Sequence, residues 1–131
     1  MRASGEFLID TNALIKLIAR DPGLRWRIGH DFRCFLSFVS VGELYAGAHQ
    51  SSRRAFNLGE ISRICQEIPI LPWDVEIADH YGRIQASLRA KGKPIPQNDV
   101  WIAATALRHG MVLITLDQHV SFVEGLPTEI W

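Results

Sequence analysis

Short apolar runs alternate along this chain with longer stretches of helical spacing, and that alternation predicts layered α/β structure. Phe7-Leu8-Ile9 is continuous and apolar, the pattern of a buried strand, and it ends at Asp10. Thr11 and Asn12 read as turn or cap residues before a helix carried by Ala13, Leu14, Ile15, Leu17 and Ile18, which Asp21-Pro22-Gly23 breaks. Leu24 to Gly29 reads as a short second helix. Cys34 to Val39, aromatic and β-branched, predicts a second strand, and Ser40 starts a helix through Glu43, Leu44, Tyr45 and Ala48. Phe56, Leu58, Ile61, Ile64 and Cys65 keep helical spacing between Ser51 and Glu67. Ile68 to Leu71 is a short third strand, which Pro69 assigns to a sheet edge.

Pro72-Trp73-Asp74 turns into a long helix with an apolar stripe at Val75, Ala78, Tyr81 and Leu88, closed by Lys91-Gly92-Lys93-Pro94. A strongly apolar helix runs from Asn98 to His109 and stops at Gly110. Met111 to Thr115 is the fourth strand, and Pro127 to Trp131 holds a short fifth. Strands separated by helices imply right-handed crossovers. The expected fold is a three-layer α/β/α sandwich around a central, mainly parallel sheet, with residues 1–131 forming one domain.

In open sheets of this kind ligands gather beyond the carboxyl ends of the strands, and acidic residues fall at those places. Asp10 ends the first strand, Glu43 lies a helical turn past the second, Asp99 opens the helix leading into the fourth, and Asp117 follows the fourth. Singly, each has a local explanation. Ser40-Val41-Gly42-Glu43 fits a capping box, Asp99 suits a helix N-terminus, and Asp10 and Asp117 can bond nearby loop amides. Together they change the argument. At an effective dielectric near 20, two carboxylates ~5 Å apart repel by about 3 kcal/mol. A hard divalent cation with oxygen ligands, Mg²⁺ or Mn²⁺, relieves that repulsion and leaves positions for phosphate oxygens and water. The set is suited to cutting a phosphodiester bond. Thr11, Asn12 and Thr115 are candidate supports for the carboxylates. Trp73 and Trp101 fit a core role better than base stacking. Lys16, Arg89, Lys91 and Lys93 are candidate contacts to an RNA backbone.

Bulk properties narrow the alternatives. The chain has 131 residues, 14 basic and 14 acidic, so charge balance gives no overall attraction to nucleic acid. Neither an apolar run long enough to span a bilayer nor a secretory leader is apparent, so a cytoplasmic protein without membrane attachment is expected. Cys34 and Cys65 form no CxxC pair, and the five histidines have no zinc spacing, so buried thiols in a reducing compartment are expected. Phosphate-cradling glycine loops and a GxSxG elbow are missing from the sequence.

The segments FLIDTNALI, SFVSVGELYAGA, PQNDVWIAATAL and MVLITLDQHVSFVEGL, in this order, resemble the PIN-domain ribonucleases, specifically the VapC toxins of toxin–antitoxin pairs. The resemblance covers nearly the whole chain. It implies a PIN-like α/β/α fold and Mg²⁺- or Mn²⁺-dependent endoribonuclease activity. It implies that Asp10, Glu43, Asp99 and Asp117 are the catalytic, metal-holding acids, with Thr115 accompanying the fourth. It also implies a homodimer and a VapB-type antitoxin whose C-terminal segment covers the acidic pocket. Many relatives carry an aromatic residue three positions after the fourth acid, where this chain has Val120, with Phe122 two residues on. That departure bears on the packing of the loop that places Asp117.

Two other function classes compete. A non-catalytic PIN-like interaction or regulatory domain would keep the fold without using the acids, yet none of the four acids is replaced here. A phosphoacceptor domain would want Asp-x-Asp at the first strand, where position 12 is Asn, or an Asp ending the third strand, where the run is Leu71-Pro72-Trp73.

Overall fold

The fold is that of a computed structural model, which describes residues 5–23 and 33–131. The helix expected over Leu24 to Gly29 lies outside the described residues. In chain order the elements are β1 (Glu6–Ile9), α1 (Thr11–Arg20), β2 (Arg33–Ser37), α2 (Phe38–His49), α3 (Arg54–Glu67), β3 (Ile70–Leu71), α4 (Val75–Lys91), α5 (Gln97–His109), β4 (Val112–Ile114), a 3₁₀ turn (Gln118–Phe122) and β5 (Thr128–Glu129). The strands form one sheet in the order β3-β2-β1-β4-β5, and every pairing is parallel. Pro69 precedes the edge strand β3, where its missing N–H disrupts no ladder, and its carbonyl accepts from the Leu36 amide at 2.9 Å.

Alternation along the central strands sorts the core into layers. Phe7, Ile9, Cys34, Leu36, Val112 and Ile114 point to one face, where α1 contributes Ala13, Leu14 and Leu17 and α3 contributes Ile64. Leu8 and Leu113 point to the other face, against Ile102 and Ala106 of α5. Helix α4 covers α5 through Ile77, Ile84 and Leu88, against Val100, Ala103 and Ala104. Helix α5 therefore lies between the sheet and α4, and this is why its sequence is apolar on several sides. Gly110 ends α5 at φ +64°, and the Met111 amide reaches back to the Ala106 carbonyl at 3.0 Å. A side chain there would strain this left-handed cap, so the stop is set by glycine.

Two expectations need correction. Strand β2 ends at Ser37 rather than Val39, and α2 begins at Phe38. The Ser37 hydroxyl accepts from the Ser40 amide at 2.9 Å, and this cap outweighs the strand preference of Phe38 and Val39. Ser40 is then inside the first turn, so Glu43 lies a turn deeper and is not a capping-box partner. The expected stripe of α4 holds at Leu88, which is buried, and at Tyr81, which packs against the core, but departs from expectation at its start. Val75 is 84 % exposed and Ala78 is exposed, whereas Ile77 and Ile84 are buried. The Asp74 cap, accepting from the Ile77 amide at 2.8 Å, starts the helix with Ile77 facing inward.

Ile84→Ala should lower the unfolding free energy by about 2–5 kcal/mol. Val75→Ala should change it by less than about 0.5 kcal/mol. Urea denaturation of both variants checks this, and comparable losses would reject the burial of Ile84 and exposure of Val75.

Candidate metal centre

The parallel sheet brings the acids together. Asp10 follows β1, and its amide donates to the Ile114 carbonyl at 2.8 Å, which fixes it beside the end of β4. The Asp10 carboxylate caps α1, accepting from the Thr11 amide at 2.7 Å through Oδ1 and from the Thr115 hydroxyl at 3.0 Å through Oδ2. The Asp117 amide donates to the same Thr115 oxygen at 3.0 Å. One hydroxyl thus ties the first acid to the backbone of the fourth. Asp99 lies in the first turn of α5, where the helix dipole favours a carboxylate. One oxygen each from Asp10, Asp99 and Asp117 lies within 4.8 Å of the others.

Glu43 stands outside that three-oxygen set. Its Oε1 accepts from the Thr11 hydroxyl at 2.9 Å and its Oε2 from the Asn98 side-chain amide at 2.8 Å. It therefore flanks the cluster, oriented by two donors. Asn98 escaped the sequence reading as a site residue, although it adjoins Asp99. His119 was also missed; its Nε2 lies 3.4 Å from Asp117 Oδ1.

The other candidates divide. Thr11 and Thr115 are buried and hold the carboxylates as described. Asn12 is exposed inside α1, and no hydrogen bond ties it to the acids among the described residues. Lys16, Arg89, Lys91 and Lys93 are exposed. Two of them are engaged locally. Lys91 pairs with Glu124 at 3.0 Å and donates to the Phe122 carbonyl at 3.2 Å, while Lys93 lies 5.2 Å over the Phe122 ring. Trp101 stacks on Tyr81 at 3.8 Å between α4 and α5 and contacts the half-exposed Trp73 at 4.4 Å. Val120 is buried with Leu8, Ile102 and Leu113, so the loop after β4 is anchored without an aromatic residue at that position. The Cys34 thiol is buried in the core, and burial pushes it up to about 12, which leaves it unreactive.

The electrostatics fit a cation. Burial raises the Asp10 carboxyl above its ordinary value, opposed by the Thr115 and Thr11 hydrogen bonds and reinforced by Glu43 and Asp117. Burial, with the charges of Asp10, Asp117 and Glu43, pushes the Asp99 carboxyl up to about 6, while His119 acts in the other direction. Oxygens sharing one octahedral Mg²⁺ stand at most roughly 4.2 Å apart. A set already within 4.8 Å needs only small side-chain adjustments to meet that limit. With oxygen-only donors, the chemistry suits Mg²⁺ or Mn²⁺.

Asp99 sets a pH dependence. Its carboxyl, ordinarily at 3.8, sits at about 6 in the fold, so it holds a proton more tightly folded than unfolded. Its contribution favours the folded state below 3.8 and is lost as pH rises through about 6. In chelator, Asp99→Asn should therefore have a higher urea midpoint than wild type at neutral pH, with the difference closing on acidification. A variant no more stable than wild type at neutral pH would remove the crowding argument.

The geometry can now be set beside known proteins. The family model for the PIN domain matches residues 7–125. "Ribonuclease VapC2" of Haemophilus influenzae is 33% identical over 129 residues, covering 96% of this chain and 98% of that protein. "tRNA(fMet)-specific endonuclease VapC" of Shigella flexneri is 32% identical over 130 residues, covering 96% and 98%. A chain of the DNA-bound VapBC structure from Salmonella typhimurium superposes with a TM-score of 0.88 at 29% identity, covering 96% of this chain and 98% of that one. The chain belongs to the PIN domain family, among its VapC ribonucleases.

Proposed function

We propose that this chain is a metal-dependent endoribonuclease, the toxin of a VapBC-type pair, acting as a single PIN domain over residues 1–131. The observation that carries the reading is the meeting of Asp10, Asp99 and Asp117 oxygens within 4.8 Å at the carboxyl edge of the sheet. These three would hold Mg²⁺ or Mn²⁺. When bound, such an ion polarises a phosphodiester and activates water for hydrolysis, which would leave 5′-phosphate and 3′-hydroxyl ends. The protein's own part is positional. Thr115 fixes the Asp10 carboxylate and the Asp117 backbone, and Thr11 and Asn98 hold Glu43, which would orient water. Exposed Lys16 and Arg89 remain candidates for the RNA backbone; Lys91 and Lys93 also steady the loop below Asp117.

The naming of relatives as ribonucleases and as a tRNA(fMet)-specific endonuclease supports an RNA substrate. The VapBC complexes among the structural relatives support a VapB-type antitoxin as partner. A cavity of about 470 Å³ between α1, α2 and α3, lined by Thr11, Leu14, Ile18, Glu43, Leu44 and Ile61, would seat its C-terminal segment next to the acids. Homodimerisation and a cytoplasmic setting accompany the proposal; among the described residues no helix is long and apolar enough to cross a membrane.

Purified protein freed of antitoxin should cut single-stranded RNA with Mg²⁺ or Mn²⁺ and stop in chelator. Asp99→Asn should lower the rate by more than about 100-fold, exceeding the loss typical of residues outside the metal's direct ligands. Expressed in cells, wild type should arrest growth and create discrete new RNA 5′ ends, both lost in the variant. Arrest that persists in Asp99→Asn would favour the non-catalytic interaction domain instead.

A further inference from the structure

We propose that the pocket beyond the carboxyl ends of β4 and β5 binds one nucleobase next to the scissile phosphate and selects the sequence that is cut. The proposal rests on the ribonuclease reading above and adds a specificity subsite to it. The pocket has a volume of about 300 Å³, and Thr115 and Asp117 line both it and the acidic cluster. Strand register gives the spacing. Ile9 pairs with Ile114, and Ile114 with Glu129, so Asp10, Thr115 and Ile130 follow side by side. With strands roughly 4.8 Å apart, the pocket lies within about 10 Å of Asp10.

Size and chemistry suit a single base. Its volume is at the small end of ligand pockets, which run from roughly 300 to 1,000 Å³. Leu116 and Ile130, both exposed, supply apolar surface for the face of a planar ring, over a floor closed by buried Val120. Gln118, Ser121 and Thr128 supply polar groups for its edge. The Ser121 hydroxyl donates to the Gln118 carbonyl at 2.7 Å, so its oxygen is left as an acceptor. The Gln118 amide and the Thr128 hydroxyl have no intramolecular side-chain partner among the described residues, and both residues are exposed. An amide that both donates and accepts can discriminate between base edges. Base recognition of this kind, on an unstacked nucleotide, is how proteins read single-stranded RNA.

The test uses a pool of single-stranded RNA oligomers randomised around the cut, with Mg²⁺, comparing wild type, Gln118→Ala and Thr128→Val. Among the described residues neither side chain hydrogen-bonds Asp10, Asp99 or Asp117, so both variants should still digest the pool. The base preference at one position flanking the cut should flatten, and kcat/KM on the sequence favoured by wild type should fall about tenfold. Urea midpoints confirm folding, and either variant alone suffices if the other is destabilised. Cleavage by both with the wild-type preference intact at every position overturns the pocket assignment and leaves the ribonuclease reading standing. A wild type that cuts nothing in the pool overturns both.

Discussion

Carboxylates crowded into a partly dry pocket repel one another, and the rest of this molecule can be understood as the scaffold that keeps them there. At an effective dielectric near 20, a pair about 4 Å apart is opposed by roughly 4 kcal/mol. The opposing forces come from separate parts of the fold. Parallel pairing of β1 with β4 holds Asp10 beside Thr115. The Thr115 hydroxyl and the Thr11 amide hydrogen-bond the Asp10 carboxylate. The first turn of α5 presents Asp99 at the positive end of a helix. Beneath them, Leu8, Ile9, Leu113 and Ile114 are fully buried. Each such side chain contributes about 1.5–3 kcal/mol relative to exposure, enough for a few core residues to offset the acidic crowding. A cation held by these acids would relieve the remaining repulsion.

Helix α5 connects this stability to function. It is covered by the sheet on one side and by α4 on the other, with Val100, Ala103 and Ala104 turned to α4 and Ile102 and Ala106 to the sheet. Small residues let the layers approach closely, and Trp101 locks the outer pair through Tyr81. At its C-terminal end, Arg108 bonds Asp74 at 3.0 Å, tying α5 to the start of α4. A helix held at both ends and on two faces can carry Asn98 and Asp99 at fixed positions. This is the preorganisation that metal-assisted hydrolysis of a phosphodiester requires.

The neutral overall charge has a functional corollary. With 14 basic and 14 acidic residues, the chain has little long-range attraction for RNA. On the proposed reading, affinity would come from an ion held by the acids, from local cations and from contacts to the bases. The segment after β4, next to the acidic pocket, is well fixed for such contacts: Val120 anchors it in the core, and Lys91 and Lys93 brace it from α4 and the turn beyond it.

Much of this was legible in the residues because it follows local rules. Apolar runs marked the strands, Gly110 and Gly92 marked helix ends, Pro69 marked an edge, and the alternation of elements required parallel pairing with the acids at strand ends. The resemblance to family motifs then assigned those acids their expected roles. Tertiary packing decided what depends on partners distant in the chain. Asp10 meets the Thr115 hydroxyl across 105 positions, and Glu43 meets Asn98 across 55. No periodicity encodes such pairings, since they exist only once the sheet has fixed its register. Packing also turned α4 so that Ile77 rather than Val75 is buried, and Ser37 took the cap of α2 that Ser40 was expected to supply. Local pattern states which residues prefer burial or a cap; competition among them for one core and one helix end is resolved only when the whole chain is packed.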